Sequence, residues 1–521
     1  MSKKQFKSQA SSSRAMGSNG FGAFSSSSPS STLSYITSPP KLSEISDANV
    51  VVCYKNLTKK DSTTKSKGLE DLRAYVQAHP FEQDGGVEEA ILDAWVDLYP
   101  RISIDDSRRV RELSHILQFE LLKSARKRME KHIPKIVGSW LAGTYDRDRA
   151  VSRAAADGIG SFLDNGKKVA LFWKRCQVQI LDYAMEAINE TPQTLSDERT
   201  ISAEDAQAKY FRVVGSSLFL VLNLLSKLEA DDIKKYQEEY DKFLFNNKKL
   251  WAFISCEDAF VRRTISQLLI VCLDKQTATV ESDLEIISHA FIAEGLRASQ
   301  SSSAYQLLLA LTRLTSQYSQ AWTTAYKSKK TALSKLRNFV EKGSQGGPAD
   351  YWRTLMSLFV SLPYSVLPTT ADGSIDFMNA FRNGITCREE PRTNAPEAWN
   401  SYFQVVTTIG SRLPHPVDVQ HFFEKSAYVV FRQYLHPTVE NSQWNMKSST
   451  TPLNAAFRVC SSSKDSKASF CKEWEKLAEA LIERLNTSLP EQSKEYHKSQ
   501  DAVVAESHRW FNFMSSILGD E

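Results

Sequence analysis

Paired cysteines are missing from this sequence. Its seven cysteines, at 53, 176, 256, 272, 387, 460 and 471, form no C-x-x-C, and the nearest two are eleven residues apart. A structural zinc site needs closely spaced soft ligands, so a zinc cross-brace within these residues is excluded. An odd number of scattered thiols with mostly apolar neighbours fits buried cysteines in a reducing compartment. Histidine is sparse as well. His115 and His132 fall in one basic stretch but seventeen residues apart, too far to form a ligand pair. The catalytic signatures fail in turn, with no H-E-x-x-H, no G-x-S-x-G and no dinucleotide fingerprint. Residues 160–168 superficially resemble a phosphate loop. The spacing is one residue too long, no Ser or Thr follows the lysine, and no strand precedes it. That stretch reads instead as a helix ending at an Asn165, Gly166 cap.

Long apolar runs are scarce too. The richest, residues 217–225, is broken by Asn223 and is too short to cross a bilayer. No charged-then-apolar leader opens the chain. No segment alternates with period two for long enough to suggest a sheet. These absences point to an all-α binding protein of the cytosol, without a membrane, cofactor or metal of its own.

What is present is polar at the front and helical after it. Residues 1–46 hold sixteen serines and carry five cations against one acid, which accounts for the whole net charge of +4. Such a segment cannot bury enough apolar surface to offset its ordering entropy, so a disordered arm is expected over 1–46. Within it Phe21 and Phe24, and the Leu33–Ile36 island with Tyr35, stand out as short docking motifs. From Asp47 onward the apolar spacing is that of helices. The predicted helices include 47–57, 88–99, a long one over 107–131 with Val110, Leu113, Leu117 and Leu121 inward, 351–362, 398–413, 417–435 and 473–485. Pro134 marks the first turn of another. The Gly- and Pro-rich residues 343–348 are the strongest interior break, dividing a repeat domain 47–345 from a further helical segment 349–521.

Two segments look like copies of one unit. Asp105 and Asp146 each precede a helix that opens with valine and arginine, and Val110 and Val151 are 41 residues apart, within the ~40–47 residue period of HEAT repeats. Residues 257–263 give a looser third copy. In such arrays Arg111, Arg153 and Arg262 are structural, bonding adjacent repeats. The fold expected is an elongated HEAT/ARM-like helical-repeat solenoid.

Cations gather near the start of that array. Residues 57–72 place Lys59, Lys60 and Lys65 around a helix start with Asp61 as N-cap, Thr64 in the first turn, and Leu69, Leu72 and Val76 on one face. A helix start that collects cations is suited to an anion. Residues 108–135 carry nine cations against three acids, among them Arg108 and Arg109, and Lys123, Lys127 and Lys131 recur every four residues as one stripe. Such a surface can position against RNA phosphates or an acidic protein, and the residues do not separate the two.

The same blocks resemble a known family. Residues 57–72, 105–112, 138–141, 190–197 and 208–214, in that order, are similar to the N-terminal region of the listerin family, the large RING-type ubiquitin ligases of ribosome-associated quality control. The resemblance covers about residues 21–225. It implies a helical-repeat module that docks on a stalled 60S ribosomal subunit, beside the partner that recognises peptidyl-tRNA and adds the C-terminal tail. It implies a docking role for the lysine-rich block and the arginine pair. The family's E2-recruiting, zinc-binding RING lies at the far C-terminus and is not contained in these residues. A generic HEAT adaptor or transport scaffold is the other reading the residues allow.

Overall fold

In the computed structural model, residues 31–35, 39–83, 85–163, 165–197, 199–436, 444, 446, 454, 457, 467–486 and 494–519 are described. Phe21 and Phe24 lie outside them. Among the described residues there are helices and turns and no strand.

The chain begins with α1 (Ala48–Leu57), α2 (Ser62–Ala78), α3 (Glu89–Ile102), α4 (Arg108–Ala125), α5 (Ile133–Gly143) and α6 (Arg149–Phe162). It continues through α7 (Gly166–Arg175), α8 (Gln177–Asn189), the single turn α9 (Pro192–Leu195) and the 25-residue α10 (Ala203–Lys227). The starts follow local chemistry. Asp47, Asp61, Asp148 and Ser202 each cap a helix by accepting a backbone N–H of the first turn. Pro134 sits in the first turn of α5, where its missing N–H leaves nothing unpaired.

The helices stack in two rows. In the first, α2 packs between α1 and α4, and α4 packs on α6. Further on, α10 packs on Ala259–Lys275, then Ala304–Gln317, Asp350–Ser361 and Ala395–Gly410 follow one another. In the second row α3 packs on α5 and α5 on α8. Farther along, Ala332–Val340, Ala371–Thr386 and Pro416–Leu435 succeed each other. Helices that mostly touch their neighbours in the order of the chain make a helical-repeat solenoid, as expected. The predicted inward faces are buried: Leu69, Leu72, Val110, Leu113, Leu117 and Leu121 are all inaccessible or nearly so. By length and composition α10 could cross a membrane, yet 78% of its apolar stretch is packed among other helices, as in a core helix.

Four expectations need correction. Residues 343–348 do not separate two cores, because one apolar core runs from Val137 and Leu141 of α5 past them to Phe513, while α1–α4 centre on a second core of their own. Gly343 and Gly346 take positive φ in a tight turn, and Ser344, fully buried, donates its N–H to Glu390. The long helix over 107–131 breaks at Arg126, whose φ is +50°, and Arg126–His132 continues as a 3-10 turn. Asn165 starts α7 rather than ending a helix, its side chain accepting the N–H of Lys168. The front arm is not free throughout its length. Leu33 is fully buried in the main core, Thr32 donates to Glu186, and the N–H of Tyr35 donates to the carbonyl of Thr194.

The candidate docking surface

The turns at one edge of the first repeats are tied by charged ladders. Arg111 lies almost wholly inside, its Nε donating to Asp146 at 2.8 Å and its Nη1 to the carbonyls of Asp105 and Asp106. Arg262 repeats the design, reaching the carbonyls of Cys256 and Glu257 behind it and Ser303 ahead. Both are structural, as expected. Arg153 is not, since it is one position later on its helix than Arg111 is on α4, and that step of about 100° turns it outward to solvent. The loop residue Arg147 takes a bridging role instead, pairing with Asp258 at 2.8 Å.

The corner between α1 and α2 joins this ladder. Asp61 caps α2, accepting the N–H and the hydroxyl of Thr64 at 2.7 Å each, and those bonds hold its carboxyl below the usual range. Lys65, mostly covered, donates to Asp105 at 2.6 Å, one repeat ahead. Lys60 donates to Asp197 at 2.7 Å, in the loop after α9, 137 residues away in the chain. That bond holds Asp197 below the carboxylate range too. Lys59 is exposed and has no carboxylate in ion-pair range among the described residues. Lys209 and Arg212 of α10 complete the arrangement, with Lys209 pairing with Asp106 at 3.3 Å and Arg212 donating to the carbonyls of Ile104 and Asp105. Burial pushes the Lys209 ammonium down, and pushes Arg212 down to about 10.

Four sequence blocks scattered over 150 residues therefore meet in one place, while the fifth packs between α5 and α8. Residues 57–72, 105–112, 190–197 and 208–214 share direct bonds, and Gly138 of the fifth block lets α5 close on Tyr183 of α8. Lys209, Arg212 and Asp197 carry no site signal of their own in the sequence, although all three lie within the family blocks. Arm residues 31–35 run alongside, with the Ser34 hydroxyl on the carbonyl of Thr194. Tyr35 stands 39% exposed there, close to the loop that carries Asp197.

The rest of the predicted cationic surface is less available. Arg108 pairs with Asp148, and Arg109 with Glu70 and Glu112, the Glu70 bond raising its pKa. Lys123, Lys127 and Lys131 form no single stripe, because the break at Arg126 separates the first from the other two. Lys123 pairs with Glu120 and lies over Phe119, Lys131 pairs with Glu89, and Lys127 is exposed. Among the described residues, cations with no carboxylate in range also occur on α6 and α7, at Arg149, Arg153, Lys167 and Arg175. The exposed Phe162 and Leu171 lie on those same helices.

The family model described as the N-terminal domain of the E3 ubiquitin-protein ligase listerin matches residues 45–362. The chain belongs to the listerin family. It is 42% identical to the listerin of Neurospora crassa over 96% of its own length and 30% of that protein's. To the Schizosaccharomyces pombe listerin it is 25% identical over 78% of this chain and 25% of the relative. To the Saccharomyces cerevisiae listerin the identity is 27% over 42% of this chain and 14% of the relative. The chain thus spans under a third of the listerins it matches. Among solved structures, importin beta aligns at a TM-score of 0.23 with 12% identity, over 90% of this chain and 67% of its own, a likeness too slight to carry an argument.

Proposed function

We propose that this chain is the N-terminal docking module of a listerin-type ubiquitin ligase, acting in the cytosol on stalled 60S subunits that carry a nascent chain on tRNA. In this reading its partners are the 60S subunit and the protein that recognises peptidyl-tRNA and adds the tail. The E2 and the zinc-binding RING belong to sequence outside these residues. The observation that carries the reading is the junction of the family blocks at the corner of Lys59, Lys60, Asp61 and Thr64, clamped to the far loop by Asp197. A structural core needs no such external clamp on an exposed lysine, since exposed ion pairs contribute only about 0–1 kcal/mol. The pair brings the far loop and the lysine corner together on one surface.

The test is co-sedimentation with stalled 60S subunits, with and without the tailing partner. Reversing Lys59→Glu and Lys60→Glu together should leave the fold intact, surface changes of this kind costing less than ~0.5 kcal/mol, and should deplete the chain from the 60S pellet. Adding Asp197→Lys restores an ion pair at the clamp but only half of the lost positive charge, and leaves both lysines absent from the corner, so binding should remain well below wild type. A double reversal that sediments like the wild-type chain in both preparations overturns the reading. Recovery on adding Asp197→Lys assigns the effect to local structure instead.

A further inference from the structure

The front segment meets the repeats through a small latch. Thr32 donates both its N–H, at 3.1 Å, and its hydroxyl, at 2.8 Å, to one carboxylate oxygen of Glu186, and the Ser31 hydroxyl reaches the same oxygen at 3.4 Å. On the far side of Leu33, which is fully buried, the Ser34 hydroxyl and the Tyr35 N–H both donate to the carbonyl of Thr194, at 3.1 Å each. One apolar side chain and two sets of hydrogen bonds therefore hold residues 31–35 as a strap across α8 and α9. Glu186 is half-buried, and no lysine or arginine stands in ion-pair range of it among the described residues. Lys41 and Lys135 line the hollow beside it, but Lys135 stands 3.7 Å from Asp97. The carboxylate is thus satisfied by uncharged donors from the strap. Thr32 itself is exposed.

Residues 15–40 contain no charged side chain, so the strap meets Glu186 as a neutral donor, and a single added charge decides whether the two still fit. We propose that Thr32 is a phosphorylation site that releases the strap. A Ser/Thr protein kinase with ATP supplies the step. The Thr32 hydroxyl oxygen bonds to the γ-phosphorus, the bond from that phosphorus to the β–γ bridging oxygen breaks, ADP leaves, and the hydroxyl proton passes to the kinase base. Kinases take their substrates extended, so the transfer falls on the undocked strap and prevents its return. It turns a donor into a group of about −1.5 to −2 charge at neutral pH, facing a carboxylate that has no counter-ion. Like-charge repulsion and the loss of the hydroxyl bond then act together. Release takes Leu33 out of the core and takes Ser34 and Tyr35 off Thr194, three residues before Asp197. The loop that reaches Lys60 loses its support on that side. That consequence depends on the docking role of the corner; the latch does not.

Phosphothreonine placed at residue 32 during translation of the full chain tests the latch, with amide hydrogen exchange as the readout. The Thr32 and Tyr35 amides should exchange faster than in the unmodified chain by about tenfold or more, as bonds to a charged acceptor are lost. Thr32→Val, which removes the hydroxyl without adding charge, should loosen them less. Glu186→Lys combined with phosphothreonine should restore protection, because the phosphate then meets an ammonium. Glu186→Gln, which keeps the shape and removes the opposing charge, should relieve most of the loosening as well. Circular dichroism checks that both variants keep their helices. Unchanged exchange in the phosphorylated chain, as when Lys41 takes up the phosphate with the strap in place, overturns the proposal. Loosening that neither Glu186 variant relieves assigns the effect to bulk rather than charge and overturns it too. Phosphopeptide mapping of the chain isolated from its own cells should find phosphate on Thr32, and its absence there overturns the assignment of the site. Exchange reads the latch whether or not the chain sediments with 60S subunits, so the latch and the docking role fail separately.

Discussion

At the scale of residues, the buried polar groups make the sharpest statements. His115 is fully buried, its Nδ1 2.8 Å from the Tyr99 hydroxyl and its Nε2 without a partner. Burial lowers its pKa to about 4. The unfolded chain protonates such a ring near 6.5, so between these values the unfolded state binds one more proton than the native state. Stability must then fall as pH drops from about 6.5 towards 4, by on the order of 3 kcal/mol in all, and this residue adds no slope above that window. Denaturant unfolding at a series of pH values should show the slope, and His115→Gln should remove it. An unchanged slope in the variant would place the titration elsewhere.

The two repeat arginines offer a paired test at the same scale. Arg111 and Asp146 are 5% and 7% exposed, so Arg111→Ala leaves a buried carboxylate without its partner and should cost about 3–5 kcal/mol. Arg153→Ala, on an outward face, should change stability by less than ~0.5 kcal/mol. Equal effects from the two would contradict the register described.

At the scale of elements, the closeness of α5 to its neighbours is set by glycines. A Cβ on Gly138 would fall 2.3 Å from the Cβ of Tyr183, and one on Gly143 within 2.4 Å of the His115 ring. Neither approach is possible for another residue without moving a helix. Gly138→Ala should therefore destabilise the chain by about 1–3 kcal/mol, the usual cost of overpacking a core, as measured by its urea midpoint. The effect should spread to the docking surface, because α8 leads into the turn that carries Asp197. A stable Gly138→Ala chain that unfolds at the wild-type midpoint would show that α5 and α8 can part at no cost.

At the scale of the molecule, the question is where the array can be divided. The turn at 343–348 is bonded on both sides: Gln345 accepts the N–H of Gln300, and Glu390 holds both Ser344 and the Trp352 indole. Limited proteolysis should leave this turn intact while exposed loops are cut. Early cleavage there would restore the two-part division. The same continuity explains why a family match to residues 45–362 can run through the turn without a break.

Much of this molecule was determined by local chemistry and is visible in the chain. Helix starts at Asp47 and Asp61, the inward faces of α2 and α4, and the repeat of about 41 residues follow from capping and 3.6-residue spacing, which need no distant partner. Tertiary structure decided what those rules leave open. A single residue of register separates the inward Arg111 from the outward Arg153, and only packing of α4 on α6 shows which arginine reaches Asp146. Cations that read as one basic surface were distributed among carboxylates from other repeats, and Lys60 found Asp197 across 137 residues. Glycines that read as a linker became a tight, fixed turn because Gln300, far off in the chain, donates its N–H to the Gln345 side chain and Glu390 accepts the N–H of Ser344. Charge and composition are properties of a segment, but neutralisation and burial belong to pairs brought together by the fold.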